Sequence, residues 1–317
     1  MTVSEEILDL SIVIVSYNTL ELTRAAVQSI YDSTREISFE IFVVDNNSAD
    51  GSPDALEAAF PKVKLIRNTT NEGLAAATNQ GLQRSTGRYV LALNSDVIVR
   101  PGAFDTLVQF MDSHPDAGGA TARLLGPDGA EHPPVCGNIP NLRTELLEAL
   151  APLSERFAQA IPEARLGPPI DYHKSQVVPC IIWGTALVVR KKIVDAIGGQ
   201  DPRFYVYGED VDWAMRIMKA GWKLYYVAEA EVIHFGGQSA KQASVKMLAQ
   251  LYRSKCRLIQ KHYGLLPGLV LRSAFAFVQF AGIIKWICAY IVRPSKRREA
   301  VTRISRLWTV IKAVLLY

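Results

Sequence analysis

Two hydrophobic periodicities alternate over the first hundred or so residues, and this alternation limits what the chain can fold into. Short β-branched or apolar runs at 11–16 (Ser-Ile-Val-Ile-Val-Ser), 40–44, 63–67 and 89–93 read as buried strands. Between them, 20–32 carries helical spacing (Leu22, Ala26, Ser29, Ile30), and 53–59 and 71–82 read as further helices. Strand and helix in alternation predict a parallel α/β sheet. Binding sites in such sheets lie at the carboxyl ends of the strands. Here those ends are polar: Ser16-Tyr17-Asn18, Asp45-Asn46-Asn47-Ser48 and Asn94-Ser95-Asp96. The first turn is not Gly-x-Gly-x-x-Gly, which argues against a dinucleotide oxidoreductase. A Gly-Lys-Ser/Thr phosphate loop is also missing, so a bound nucleotide would be held by side chains and a metal.

The 317 residues, 49% hydrophobic and 21% charged, suit one large or two medium domains. The first apolar run (Ile12 to Val15) is short and follows acids, so no signal peptide is expected. Cys136, Cys180, Cys256 and Cys288 are too widely spaced for a disulfide framework or a zinc site, and a reducing cytosolic location is expected. The net charge of +4 is unevenly spread. Residues 241–317 hold 15 of the 35 Lys/Arg and one of the 31 acids, a net of +14, against −10 for residues 1–240. An acidic body with a basic, apolar tail is the pattern of a protein held at an anionic surface.

Residues 112–179 are rich in Pro and Gly and read as a less regular region around a cleft, with one helical piece at 142–151. Residues 181–190 read as one strand and 223–227 as a short one, after which Val232-Ile233-His234 leads into Phe235-Gly236-Gly237. The stretch 204–234 carries the densest chemistry. Glu209, Asp210 and Asp212 lie among Phe204, Tyr205, Tyr207 and Trp213, ahead of a helix at 211–220 that Gly221 closes. Two readings stand: acids that favour a helix N-terminus, or a general base in an apolar cleft with a raised pKa.

The segments 11–18, 45–51, 71–81, 94–96, 208–210 and 234–239 resemble, in order and spacing, those of family 2 glycosyltransferases. The likeness covers about residues 10–262. It implies a GT-A fold: α/β and Rossmann-like, with a mostly parallel central sheet flanked by helices. It implies transfer of a sugar from a nucleoside diphosphate with inversion. Asn-Ser-Asp-Val at 94–97, Trp-Gly-Thr-Ala-Leu-Val-Val-Arg at 183–190 and Gly-Glu-Asp-Val-Asp at 208–212 are similar to bacterial rhamnosyltransferases and galactofuranosyltransferases of cell-wall and surface-polysaccharide assembly.

The resemblance gives these residues roles. Asp45 accepts from a pyrimidine ring N–H, its alternative being a strand-end Asx turn. Ser16, Asn18 and Asn47 line the same nucleoside pocket. Gly73 and Asn79 match the ribose-side helix, although Thr78 stands where many members have Arg. Asn94-Ser95-Asp96 replaces the usual Asp-x-Asp, leaving Asp96 as metal ligand and Asn94 at sugar or ribose. His234 is the second metal ligand, and imidazole, carboxylate and phosphate oxygens suit Mn²⁺ or Mg²⁺. Asp210 is the general base. Glu209 is the runner-up base or orients the sugar, and Asp212 caps the helix. Trp183, Gly184 and Tyr207 shape the sugar or acceptor pocket, with core packing the alternative for Trp183 and Tyr207.

In the tail, 241–262 reads as a basic amphipathic helix, and 264–292 is strongly apolar but interrupted by Arg272 and Lys285. Val301, Ile304, Leu307, Trp308, Ile311, Val314 and Leu315 form one helical face, with Arg303 and Arg306 opposite. This suits an interfacial helix on anionic lipid; the alternatives are a helical cap over the core and a contact within a homo-oligomer. The domains expected are 1–240, the GT-A domain (1–110 nucleotide-binding, 111–240 acceptor and catalytic), and 241–317, a membrane-associating helical extension.

The expectation is a metal-dependent, inverting hexosyltransferase, peripheral on the cytoplasmic face of a bacterial inner membrane. It would use dTDP-L-rhamnose and a saccharide or lipid-linked saccharide acceptor. One rival is transfer from UDP-galactofuranose or UDP-N-acetylglucosamine; another is a catalytically silent nucleotide-sugar-binding scaffold. Nucleic acid is not an expected partner, because the apolar content of the tail favours lipid over the reading that Lys/Arg clusters alone would allow.

Overall fold

The computed structural model describes residues 7–131, 136–154, 159, 170–236 and 244–315. Residues 237–239 of the last motif and 241–243 of the expected tail helix lie outside them. In chain order the elements are β1 (Leu10–Ser16), α1 (Leu20–Ser33), β2 (Phe39–Asp45), α2 (Ser52–Ala59), β3 (Lys64–Arg67), α3 (Leu74–Arg84), β4 (Tyr89–Asn94), β5 (Val97–Val99), α4 (Ala103–Ser113), β6 (Ala117–Leu125), β7 (Cys136–Gly137), α5 (Leu142–Leu150), β8 (Gln176–Val177), β9 (Ile181–Ile182), β10 (Ala186–Arg190), α6 (Lys191–Ile197), α7 (Glu209–Lys219), β11 (Lys223–His234), α8 (Ser244–Tyr263), α9 (Leu265–Val292) and α10 (Arg297–Leu315).

The chain divides into two compact units, the first drawn from Met1–Gly137, Gly167–Tyr205 and Glu209–Ser239. It is built on one sheet in the order β3-β2-β1-β4-β10-β6-β11-β5, with β8 paired to β11. β1, β2, β3 and β4 run parallel, as do β6 and β11, while β10 and β5 run against their neighbours. The fold is therefore mixed α/β with a mostly parallel central sheet. β1 is buried on both faces (Ile12, Val13 and Ile14 are at most 1% exposed), the reason its sequence is continuously apolar rather than alternating. Register places the strand ends together. Ser16 is opposite Asp45, Val15 is opposite Asn94, and the first residue of antiparallel β10, Ala186, is opposite Leu93. On β11, His234 is opposite Val97, one residue past Asp96.

Three expectations change. Residues 181–190 are two strands: Ile181–Ile182 pairs with Cys136–Gly137 in a separate ribbon, the chain turns at Trp183-Gly184-Thr185, and Ala186–Arg190 enters the main sheet. The turn is fixed because Gly184 N–H donates to Asp210 instead of to a strand. The irregular region at 112–179 contains β6, a central strand. Thr121 is its one β-branched residue, because neighbours crowd it: a Cβ on Gly119 would lie 2.8 Å from the Val188 carbonyl oxygen, and one on Gly118 would lie 2.5 Å from Trp222 Cβ. Finally, 223–227 is the start of β11, a twelve-residue strand that runs to His234 through a register shift between Val227 and Glu231.

The second unit comprises Asn138–Leu166, Val206–Gly208 and Ala240–Tyr317. Its described helices α5, α8, α9 and α10 share a core of Ala149, Cys256, Ile259, Leu271, Phe275, Val310 and Val314. Tyr252 meets Phe275 edge to face at 4.5 Å. Lys255 bridges Glu145 (2.7 Å) and Glu148, joining α8 to α5, and Ser254 donates to the Val206 carbonyl at 3.0 Å.

Candidate active site

The ends of β1 and β2 are clipped together by side chains. Asn18, in the left-handed region at φ 52°, accepts from Ala49 N–H at 2.7 Å, and its own N–H donates to Ser48 Oγ at 2.9 Å. Asn47 is also left-handed, at φ 67°. Asp45 is 1% exposed: Oδ2 accepts from Ser48 N–H at 3.0 Å, and Oδ1 has no hydrogen-bond partner. A buried acceptor left unmatched is costly, and Oδ1 is ready for a ligand N–H. The Asx turn and the free acceptor are two ends of one carboxylate. Ser16 is different. Its hydroxyl is buried with that of Thr23, 2.9 Å away, and its carbonyl accepts from Asn46 N–H, so it holds the wall of the pocket and offers it no side-chain group.

Asn46 was not singled out by sequence reasoning. It is 3% exposed, donates to Asn71 Oδ1 (2.9 Å) and the Gly73 carbonyl (3.3 Å), and accepts from Asn68 (3.1 Å) and Glu72 N–H (3.0 Å). It thereby ties β2 to the loop ahead of α3; the only signal was its place beside Asp45. Gly73 needs to be glycine, since φ is +84° and a Cβ would lie 2.5 Å from the Tyr205 carbonyl oxygen. Tyr205 closes over this loop, its hydroxyl donating to Asn71 Oδ1 at 2.8 Å. Asn79, expected on the ribose side, has both ends of its amide on the backbone of Gln200, donating at 2.6 Å and accepting at 2.8 Å. It anchors the loop after α6 instead of presenting its amide to a ligand.

Asn94, Ser95 and Asp96 connect β4 to β5. Asn94 N–H donates to the Thr185 carbonyl at 3.1 Å, and Ser95 Oγ accepts from Thr19 at 3.3 Å. Asp96 Oδ1 lies 3.3 Å from His234 Nε2, and Phe235 N–H donates to the Asp96 carbonyl at 3.0 Å, which fixes the two strand ends to each other. Carboxylate and imidazole this close offer two ligands to a divalent cation. Among the described residues no group of three or more His, Cys, Asp or Glu forms a complete protein cage. Asp96 and His234 would supply two of a divalent cation's ligands.

The two acids of α7 are not equivalent. Glu209 is 5% exposed and its Oε2 has no partner; burial, reinforced by the charge of Asp210, raises its pKa well above the usual carboxylate range. Burial also raises the pKa of Asp210, but Gly184 N–H (2.9 Å to Oδ2) and Val211 N–H (2.7 Å to Oδ1) oppose the shift by stabilising the charged form. Asp210 is thus the first of the pair to ionise, and it keeps partial exposure. Gly184 must be small, since a Cβ there would lie 2.9 Å from Asp210 Cβ. Trp183 beside it is 37% exposed. Tyr207 falls in the second unit, in the left-handed region at φ 67°. Asp212, in the first turn of α7, is fully buried. It pairs with Arg216 at 2.8 Å, and Arg216 donates to the carbonyls of Ile197 (2.9 Å), Gly198 (3.3 Å) and Gly199 (2.5 Å). Arg216 from α7 and Asn79 from α3 hold residues 197–200 from two sides.

The sequence matches the family described as Glycosyl transferase family 2 over residues 11–157 and Glycosyl transferase family group 2 over residues 89–317. The chain belongs to this family and is a glycosyltransferase that uses a nucleotide sugar. Among its relatives is the N-acetylglucosaminyl-diphospho-decaprenol L-rhamnosyltransferase of Mycobacterium tuberculosis, 29% identical over 230 residues, which cover 68% of this chain and 72% of the relative. Among solved structures, a mannosyltransferase from Pyrobaculum calidifontis in complex with GDP-Man and Mn²⁺ is similar, with a TM-score of 0.55 and 17% identity over 98% of this chain and 88% of that one. GalNAc-T7 with UDP, GalNAc and Mn²⁺ is similar with a TM-score of 0.56 and 17% identity over 81% of this chain and 48% of that one.

Proposed function

We propose that this enzyme transfers L-rhamnose from dTDP-L-rhamnose, with inversion, to a lipid-linked saccharide at the cytoplasmic face of the membrane. The observation that carries the chemistry is Asp210, a carboxylate held by two backbone N–H groups yet still partly exposed. The sugar and the acceptor class rest on the rhamnosyltransferase relative, whose name specifies a decaprenyl diphosphate acceptor. Peripheral membrane contact rests on the basic, apolar tail, and four free thiols suit the reducing side.

Asp45 Oδ1 accepts the ring N–H that thymine and uracil share, and so selects a pyrimidine without separating dTDP from UDP. Asn18 and Asn47 shape the rim of that pocket, and the loop held by Asn46 and Gly73 bounds it. Asp96 and His234 would hold Mn²⁺ or Mg²⁺. When bound, the metal supplies positive charge against the charge that develops on the departing diphosphate. Asp210 takes the proton of the acceptor hydroxyl as that oxygen bonds to the anomeric carbon. The bond from that carbon to the diphosphate oxygen breaks on the opposite face, so a single displacement inverts the centre. In its neutral form, which burial favours, Glu209 can donate a hydrogen bond to the sugar and orient it.

Calorimetric titration of dTDP and UDP, with and without Mn²⁺, against wild type and Asp96→Ala tests the donor site. Metal-dependent binding in wild type that disappears in Asp96→Ala is expected, followed by turnover of dTDP-rhamnose in a donor panel. Equal binding by both proteins would remove Asp96 from the site, and turnover of UDP-galactofuranose or UDP-N-acetylglucosamine alone would replace rhamnose.

A further inference from the structure

By length and composition α9 could cross a membrane: it is 28 residues long and mostly apolar. Its packing gives it two unlike faces. Gly268, Leu271, Phe275, Val278, Gln279 and Ile283 are buried. On the other side Leu266 (72%), Phe277 (62%), Phe280 (55%), Ile284 (50%), Ile287 (44%) and Ile291 (67%) are exposed. At 100° per residue these six fall within an arc of about 80°, opposite the buried set, and run for about 38 Å. An apolar stripe of that length, interrupted in the arc only by Ser273, needs a partner.

The neighbour of α9 decides which partner. α10 returns along it: Arg303 lies over the Trp286 ring at 5.7 Å, a Cβ on Gly282 would lie 3.1 Å from Leu307, and Val310 and Val314 share the core with Leu271 and Phe275. If α9 crossed a bilayer as packed, α10 would carry Arg303 and Arg306, both exposed, into the hydrocarbon, and Lys285 would follow. Charges at that depth are strongly disfavoured. The turn between the helices adds Arg293, Lys296, Arg297 and Arg298, all exposed. This cluster complements the phosphates of an anionic leaflet.

We propose that α9 lies in the plane of the membrane. Its Leu266-to-Ile291 stripe is immersed just beneath the headgroups of one anionic leaflet, the basic turn sits at the lipid phosphates, and no part of the unit crosses the bilayer. This rests on the membrane association proposed above and names its face and depth.

The test uses the full chain and vesicles of equimolar phosphatidylcholine and phosphatidylglycerol. Single fluorescent labels are placed at Leu266→Cys, Phe277→Cys and Ile287→Cys in a Cys288→Ser background, the other three cysteines being buried. Quenching by lipids with nitroxides at the headgroup, mid-chain or chain end reports depth. All three labels are expected at one shallow depth. A Phe277→Cys label at the bilayer centre with the other two shallow would overturn the proposal in favour of a spanning helix. Independently, Phe277→Asp with Phe280→Asp is expected to weaken vesicle binding at least tenfold while nucleotide binding by the first unit is unchanged. Vesicle binding unaffected by that pair would overturn the assignment of the face. Failure of the wild-type protein to bind vesicles at all would instead remove the membrane association itself. Cross-linking between copies at position 277 without lipid would assign the stripe to a second copy and overturn the proposal.

Discussion

The edge of the sheet and the surface of α9 are incomplete in opposite ways. At the edge, most polar groups satisfy one another: the Asn46 side chain makes four hydrogen bonds, and Asn79 and Arg216 clamp one loop. Among the exceptions are single acceptor atoms, Asp45 Oδ1 and Glu209 Oε2, each buried and without a partner. On α9 it is apolar side chains that lack cover. An unmatched acceptor selects a small donor at one point in space, whereas an uncovered stripe selects an extended apolar phase without regard to position along it. On the proposed function, one chain would read a soluble donor by hydrogen bonds and a membrane by area.

If the edge is catalytic, its largest single effect lies at Asp210. Asp210→Asn keeps the shape and an acceptor for Gly184 N–H but removes the base, so kcat should fall by about 10² to 10⁴ with nucleotide affinity unchanged. A variant that retains wild-type kcat would separate the acid pair from the chemistry. Next in size is Asp45→Ala. Loss of a hydrogen bond to a charged acceptor, worth about 1.5–3 kcal/mol, should weaken dTDP and UDP binding by roughly ten- to a hundredfold each. A calorimetric loss confined to one base would show that Asp45 reads more than the shared ring N–H, which would sharpen the contrast between point recognition and recognition by area.

Sequence exposed some of this and hid the rest for physical reasons. β1, β2 and β4 were legible because strands buried on both faces are continuously apolar and stop at polar residues. Asp45, Asp96 and the Glu209-Asp210 pair stand at such stops or at a helix start. β6 was not legible, because the closeness of Val188 and Trp222 demands Gly119 and Gly118 where strand propensity asks for branched residues. The turn at Trp183 to Thr185 was hidden in a mostly apolar run that reads as one strand; what bends it is a hydrogen bond to Asp210, 26 residues away. Asn46 and Asn79 look alike as polar residues near a site, and only their partners show that both are spent on backbone and loop contacts. The two faces of α9 were equally concealed, since the helix is apolar nearly all round and α10 decides which side is covered.

The smallest effect distinguishes the two acids from each other. Glu209 has a folded-state pKa above that of the unfolded chain, first through burial and then through the charge of Asp210. Its stabilising contribution is therefore complete below the ordinary carboxylate pKa and is lost as pH rises through the folded value. Glu209→Gln is neutral at every pH and escapes that loss, so its melting temperature relative to wild type should climb as pH rises. Because burial favours the neutral form of Glu209, the same substitution should change kcat by no more than about threefold, far less than loss of a general base. The acid limb of the rate profile should also persist in Glu209→Gln, because burial is the main cause of the raised Asp210 pKa. A kcat collapse in Glu209→Gln equal to that of Asp210→Asn would reverse the assignment: the orphaned Glu209 Oε2 would then be the proton acceptor, and the N–H groups on Asp210 would mark it as the residue that orients the sugar.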